Sequence, residues 1–174
     1  MVPSLTFQIG EKVVYPNHGI GTIENISTRS LGSQPERCYF LRVLSCRSMT
    51  VWVPFSHVHD VGLRRVTRNG EVTRVLDFLS QGVCKCTGDW KDRFKENAEK
   101  MRQGSLLGMA EVLKTLLTLQ SRKPLSFREK KMLDRARHML ITELSISRSL
   151  GESEAAALMS KALEKAALSL PAAM

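Results

Sequence analysis

Over the first sixty or so residues, apolar side chains alternate with polar ones in short runs; beyond them they recur every three or four positions. The first pattern is that of half-buried strands. β-Branched and aromatic residues cluster at Val13 to Tyr15, Thr22 to Thr28, Cys38 to Leu44 and Met49 to Val53, each flanked by turn formers. The run Lys12 to Tyr15 is entered from Gly10-Glu11 and closed by Pro16, which cannot donate to a ladder. Asn17-His18-Gly19 tolerate the unusual backbone angles of the turn into the next strand, Gly21 to Ser27. Leu31-Gly32-Ser33-Gln34-Pro35 reads as a hairpin loop and Ser45 to Ser48 as a shorter one. Five short strands with tight connections predict a small SH3- or Tudor-like antiparallel β-barrel.

The switch to helical periodicity falls near Gly62, and the predicted boundary divides the chain into residues 1–66 and 67–174. Glu71 to Leu79 is a short helix ended by Gln81-Gly82, followed by a loop from Val83 to Asp89. Trp90 to Arg102 forms a helix with Thr87 or Asp89 as its N-cap and Gly104 as its stop. Ser105 to Gln120 carries Leu106, Met109, Val112, Leu113, Leu116 and Leu117 on one stripe. Ser126-Phe127-Arg128-Glu129 has the spacing of a capping box and opens a helix to about Ile146. A last, alanine-rich helix runs from Glu152 to about Leu168, before a frayed end at Pro171 to Met174. The predicted class is therefore multidomain α+β: a barrel, then an all-α bundle of about five helices.

Charge changes the picture more than hydropathy does. With 26 Lys and Arg against 17 Asp and Glu, the formal charge is +9. That balance fits a polyanionic partner, nucleic acid before an acidic membrane surface. No window has the run of about 18 apolar residues that a membrane helix needs, and the start lacks the basic-then-apolar order of a secretory signal. The expectation is a cytoplasmic protein with Cys38, Cys46, Cys84 and Cys86 reduced.

An enzyme reading finds little support. No Walker loop, G-x-S-x-G or H-E-x-x-H is present. His57 and His59 would share a face if they lay on a strand, but no third metal ligand lies near them. Cys84-Lys85-Cys86 lacks the C-x-x-C spacing of a zinc ribbon. The expectation is no catalytic residue, no metal and no cofactor.

Two segments hold candidate binding chemistry. In Asp89-Trp90-Lys91-Asp92-Arg93-Phe94-Lys95, a tryptophan opens a helix whose first turns are basic. Cations there can hold phosphates while the ring stacks on a base or wedges beside a base step; alternatively, Trp90 packs between helices and its neighbours are solvated. Around the turn before the capping box stand Arg122, Lys123, Arg128, Lys130, Lys131, Arg135 and Arg137. A solvated helix face accounts for most of these charges. Arg122, Lys123 and Lys130 are the candidates for backbone phosphates, because a loop and a helix start can present donors together.

The opening "FQIGEKVVYPNHGIG", the helix "DWKDRFKENAEKM" and the turn and helix "SRKPLSFREKKMLDRARHML" occur here in that order. They resemble CarD/CdnL-type bacterial transcription regulators over nearly the whole chain, Phe7 to about Lys165. The first part also resembles the RNA-polymerase-interacting module of the transcription-repair coupling factor, without the ATPase motifs of a translocase. The resemblance implies docking of the barrel on the β subunit of bacterial RNA polymerase through an exposed strand. Arg29 falls at a basic position used for that contact, and Trp52 where some relatives carry arginine. It further implies promoter DNA as the second partner. Trp90 would enter the minor groove at the upstream edge of the unwound bubble and stabilise the open complex, with Arg93 and Lys95 on phosphates. Asp92 departs from the family pattern, which has a basic residue there. The implied protein is a monomer associated with the nucleoid through polymerase. The alternative is a polymerase-bound adaptor whose helices recruit another protein without touching DNA.

Overall fold

The computed structural model describes residues 6–44, 49–85 and 88–174. The chain divides into two compact units, Met1–Val66 and Thr67–Met174. The first holds strands β1 (Lys12–Tyr15), β2 (Gly19–Leu31), β3 (Gln34–Val43), β4 (Met49–Pro54) and β5 (Arg64–Arg65). They form one antiparallel sheet in the order β4-β3-β2-β1-β5.

The sheet curls around Phe7, Val13, Ile23, Tyr39, Leu41, Val43 and Val53. Tyr39 anchors this core. Its hydroxyl accepts from the Phe7 N–H at 3.0 Å, and its ring stacks on Phe55 with centroids 4.2 Å apart. The register slips between Ile23 and Asn25, a bulge that bends β2 and re-aims everything beyond it. Gly21 permits the close approach of β3: a Cβ there would stand 2.7 Å from Leu41 Cδ1.

The β2–β3 hairpin is longer than the sequence predicted. Only Gly32 and Ser33 turn, with Gly32 at φ 73°, and Pro35 lies inside β3 opposite Ser30. Glycine with positive φ first in a two-residue turn matches the twist of the strands, so pairing continues to the tip. The loop expected at Ser45 to Ser48, with Cys46, lies outside the described residues. His57 ends a 3-10 turn, Phe55–His57, and His59 stands in the turn that follows. The strand face that would have paired these histidines therefore does not exist.

The second unit comprises α1 (Asn69–Gln81), α2 (Trp90–Gln103), α3 (Leu106–Gln120), α4 (Phe127–Arg148) and α5 (Glu152–Glu164). Helix α3 is the hub. Eleven of its residues are buried, among them Leu106, Met109, Val112, Leu113, Leu116 and Leu117. Against it pack Val72, Val75 and Leu79 of α1, Met101 of α2 and Leu133, Leu140 and Leu144 of α4, while Met159 and Leu163 of α5 join the same core by packing on α1 and α4.

The ends follow their local chemistry. Asp89 caps α2, its carboxylate accepting from the Trp90 N–H at 2.7 Å, and Gly104 ends it at φ 73°. Thr87, the other cap considered, lies outside the described residues, as does Cys86. At α4 the capping box forms in both directions, Glu129 N–H to the Ser126 hydroxyl and Ser126 N–H to the Glu129 carboxylate. Helix α5 ends at Glu164, earlier than periodicity predicts. Ala167 takes φ 56° and the Leu168 N–H returns to the Leu163 carbonyl, a closure that lays Leu168 on the core. The last residues are held, not frayed: Arg137 Nε donates to the Pro171 carbonyl at 2.9 Å and Met174 N–H to Asp134 at 3.2 Å.

Buried polar groups tie this unit to its first residue. Glu143, 3% exposed, accepts from the Thr67 N–H at 2.9 Å and the Thr67 hydroxyl at 2.6 Å. The Ser147 hydroxyl donates to the Thr67 carbonyl at 2.6 Å. Lys114 is buried too, its ammonium donating to the Phe78 carbonyl at 2.9 Å. Burial pushes its pKa down from the usual lysine value.

Candidate functional site

The outer face of the sheet unit carries one aromatic and cationic group. Register sets Phe40 opposite both Asn25 and Trp52, and Cys38 opposite Ser27 and Pro54, so these side chains share the face away from Tyr39 and Leu41. Phe40 and Trp52 pack with ring centroids 4.5 Å apart. Exposed Arg29, on the same face of β2, reaches across so that its guanidinium carbon lies 3.9 Å from the Trp52 centroid. Trp52 is thus half-buried and lies outside the core cluster. It stands on β4, a sheet edge, where unpaired backbone groups can accept another strand. Cys38 beneath is fully buried, and desolvation raises its pKa, so its thiol is inert packing.

On the helical unit, Trp90 is the first residue of α2 and is 54% exposed. It starts the stripe that continues through half-buried Phe94 and buried Asn97 and Met101, one turn beyond the part that packs. Lys91 lies with Nζ 5.9 Å from the ring centroid, and Lys95 is exposed one turn on. Arg93 behaves differently. It is half-buried, donating to the Gly88 carbonyl at 2.6 Å, and its Nε is buried without a partner. It lines a cleft of about 250 Å³ with Cys84, Asn97, Lys100, Glu111 and Thr115. Asp92 is exposed in the first turn, where the positive end of the helix dipole favours an acid.

Lys100 fixes how α2 meets α3, reaching Glu111 at 2.9 Å and Glu96 at 3.3 Å. Desolvation of Lys100 works against its charge, but these two carboxylates outweigh it and leave the pKa raised. Arg122, Lys123 and Lys130 are all exposed. The sequence reading did not select Lys91 as a contact, although its i, i+4 spacing to Lys95 is the signal that puts both on one flank. Phe127, 67% exposed beside the basic turn, is a ring that periodicity along the chain does not single out. Among the described residues, no group of three or more His, Cys, Asp or Glu is placed to hold a metal, and no helix is long and apolar enough to cross a membrane.

Among the described residues, then, the chain holds a curled five-stranded sheet with an aromatic pair at its edge and a separate unit of five helices with an exposed tryptophan. Residues 7–67 match the CarD-like/TRCF RID domain, and residues 74–160 match the CarD C-terminal domain. The chain belongs to the CarD family of bacterial transcription regulators. It is 34% identical over 148 residues to the candidate transcription factor YdeB of Bacillus subtilis (strain 168), covering 85% of this chain and 96% of that relative.

Proposed function

We propose that this protein regulates transcription by binding the β subunit of RNA polymerase with its sheet unit and promoter DNA with its helical unit. Trp90 enters the minor groove at the upstream edge of the bubble, and the bound protein lengthens the life of the open complex. It acts by binding and not by catalysis, as a cytoplasmic monomer brought to the nucleoid by polymerase.

The observation that carries the DNA half is the exposure of Trp90. A large aromatic held at a helix start with lysines at Lys91 and Lys95 has a free face for a base step and cations for the flanking phosphates. Lys95, Arg122, Lys123 and Lys130 supply the phosphate contacts. Arg93 contributes by holding the Gly88 turn, and reaches phosphate only if that bond is exchanged. For the polymerase half, support comes from the family membership and from the Arg29–Trp52 pair at an open sheet edge.

The test is to measure binding of the full chain to the isolated β-subunit lobe and, separately, its effect on open-complex lifetime at a promoter. Binding with a lengthened lifetime is the expected result. Binding to the lobe with no effect on lifetime and no affinity for DNA favours the adaptor, a reading to which inward-turned Arg93 and exposed Asp92 lend weight.

A further inference from the structure

Among the described residues only two of the Phe, Tyr and Trp side chains are exposed, Trp90 at 54% and Phe127 at 67%. They share a design. Each is the first residue of its helix, α2 or α4, and each has a lysine at its ring, Lys91 at 5.9 Å and Lys131 at 4.6 Å. Nothing in the packing of α4 calls for an aromatic at this position. The capping box already fixes the helix start, and Leu125, 5% exposed, supplies the apolar anchor before it. Phe127 lies outside both devices.

Its surroundings are strongly one-signed. Arg122, Lys123, Arg128, Lys130 and Lys131 are exposed, and none of their charged heads has a carboxylate or hydrogen-bond partner among the described residues. Elsewhere Arg42, Arg65, Lys100 and Arg102 are all ion-paired. The one acid in the segment, Glu129, is turned back onto the Ser126 N–H. An uncompensated basic cluster around an exposed ring fits a polyanion with flat apolar faces between its charges, which is nucleic acid.

We propose that Phe127 is a second DNA-contacting aromatic. Its ring packs on a base or sugar, with Lys131 on the ring's flank and the cations of the turn on adjacent phosphates. This rests on the DNA-binding half of the proposed function and extends it from one aromatic contact to two.

The test uses the full chain and a fluorescently labelled duplex, once fully paired and once with a pre-opened segment, read by anisotropy. Phe127→Ala is expected to weaken binding about five- to a hundredfold, the range of one base–aromatic contact, while Phe127→Tyr stays within about twofold of the parent. Phe127→Leu, which keeps apolar bulk without a ring, should fall with the alanine variant. Melting temperatures should not move, since the side chain is exposed. Parental affinity in Phe127→Ala, or Phe127→Leu binding as tightly as Phe127→Tyr, overturns the inference and leaves the Trp90 reading standing. If the parent chain binds neither duplex, the DNA half of the proposed function fails and this inference fails with it.

Discussion

The Arg29 guanidinium stacks 3.9 Å from the centre of the Trp52 ring although β3 runs between their strands. The stack lies on the outer face of the sheet, so it organises a surface without supporting the core. A cation over an aromatic at an exposed site contributes about 0.5–1 kcal/mol.

Arg29→Glu is therefore expected to leave circular dichroism and melting nearly unchanged while abolishing binding to the isolated β-subunit lobe. Charge reversal at a protein–protein rim can add several kcal/mol of repulsion. Unaltered affinity in a folded variant would sink the role assigned to this face.

For Trp90→Ala, half-exposure sets the expected stability loss well below the roughly 3–5 kcal/mol of a fully buried tryptophan. Open-complex lifetime should shorten about tenfold to a hundredfold, with stacking worth ~1–3 kcal/mol. Lobe binding should persist. A folded variant with unchanged open-complex decay defeats the wedge.

Salt gives a reading of the phosphate contacts as a group. With about three to five cations reaching the backbone, log affinity of the full chain for duplex DNA should fall against log salt with a slope of roughly −3 to −4. Lys123→Ala should flatten it by about one. A flat response in the parent chain would count for the adaptor.

Glu143→Ala removes the carboxylate that accepts from both the N–H and the hydroxyl of half-buried Thr67. The expected loss is about 2–3 kcal/mol on denaturant unfolding of the helical unit, with Glu143→Gln losing less because its amide oxygen still accepts. Parental stability in Glu143→Ala would show that Thr67 finds another partner.

Lys114 gives a pH signature. Its folded pKa lies below its unfolded value of 10.5, so the buried charge opposes folding at neutral pH, and stability is regained as pH rises through the folded pKa toward 10.5. Lys114→Met should lose that alkaline gain without being less stable at pH 7, because the Phe78 carbonyl keeps its bond from the Gly82 N–H at 2.7 Å. Paired denaturation curves at neutral and alkaline pH decide it; an identical pH dependence in both proteins refutes the assignment.

Much of this was legible in the chain because it rests on local rules. The stripe of Leu106, Met109, Val112, Leu113 and Leu116 names its own buried face, and Ser126 with Glu129 announces a helix start. The hairpin tip, by contrast, read as a five-residue loop because Pro35 looks like a breaker. An edge of pairing tolerates it once Gly32 and Ser33 make the turn.

By itself, then, the sequence determined the two architectures, the order of their elements and the family, since each follows from periodicity, capping or wording along the chain. The tertiary structure alone decided which side chains face outward together. Arg29 meets Trp52 only because a bulge and the strand register bring them onto one face. Arg93 turns inward because the Gly88 carbonyl lies within its reach, while Lys91, Lys95 and Phe127 stay in solvent. A residue's type fixes what it can bind, whereas its exposure depends on contacts between segments far apart in sequence, and no local pattern encodes those.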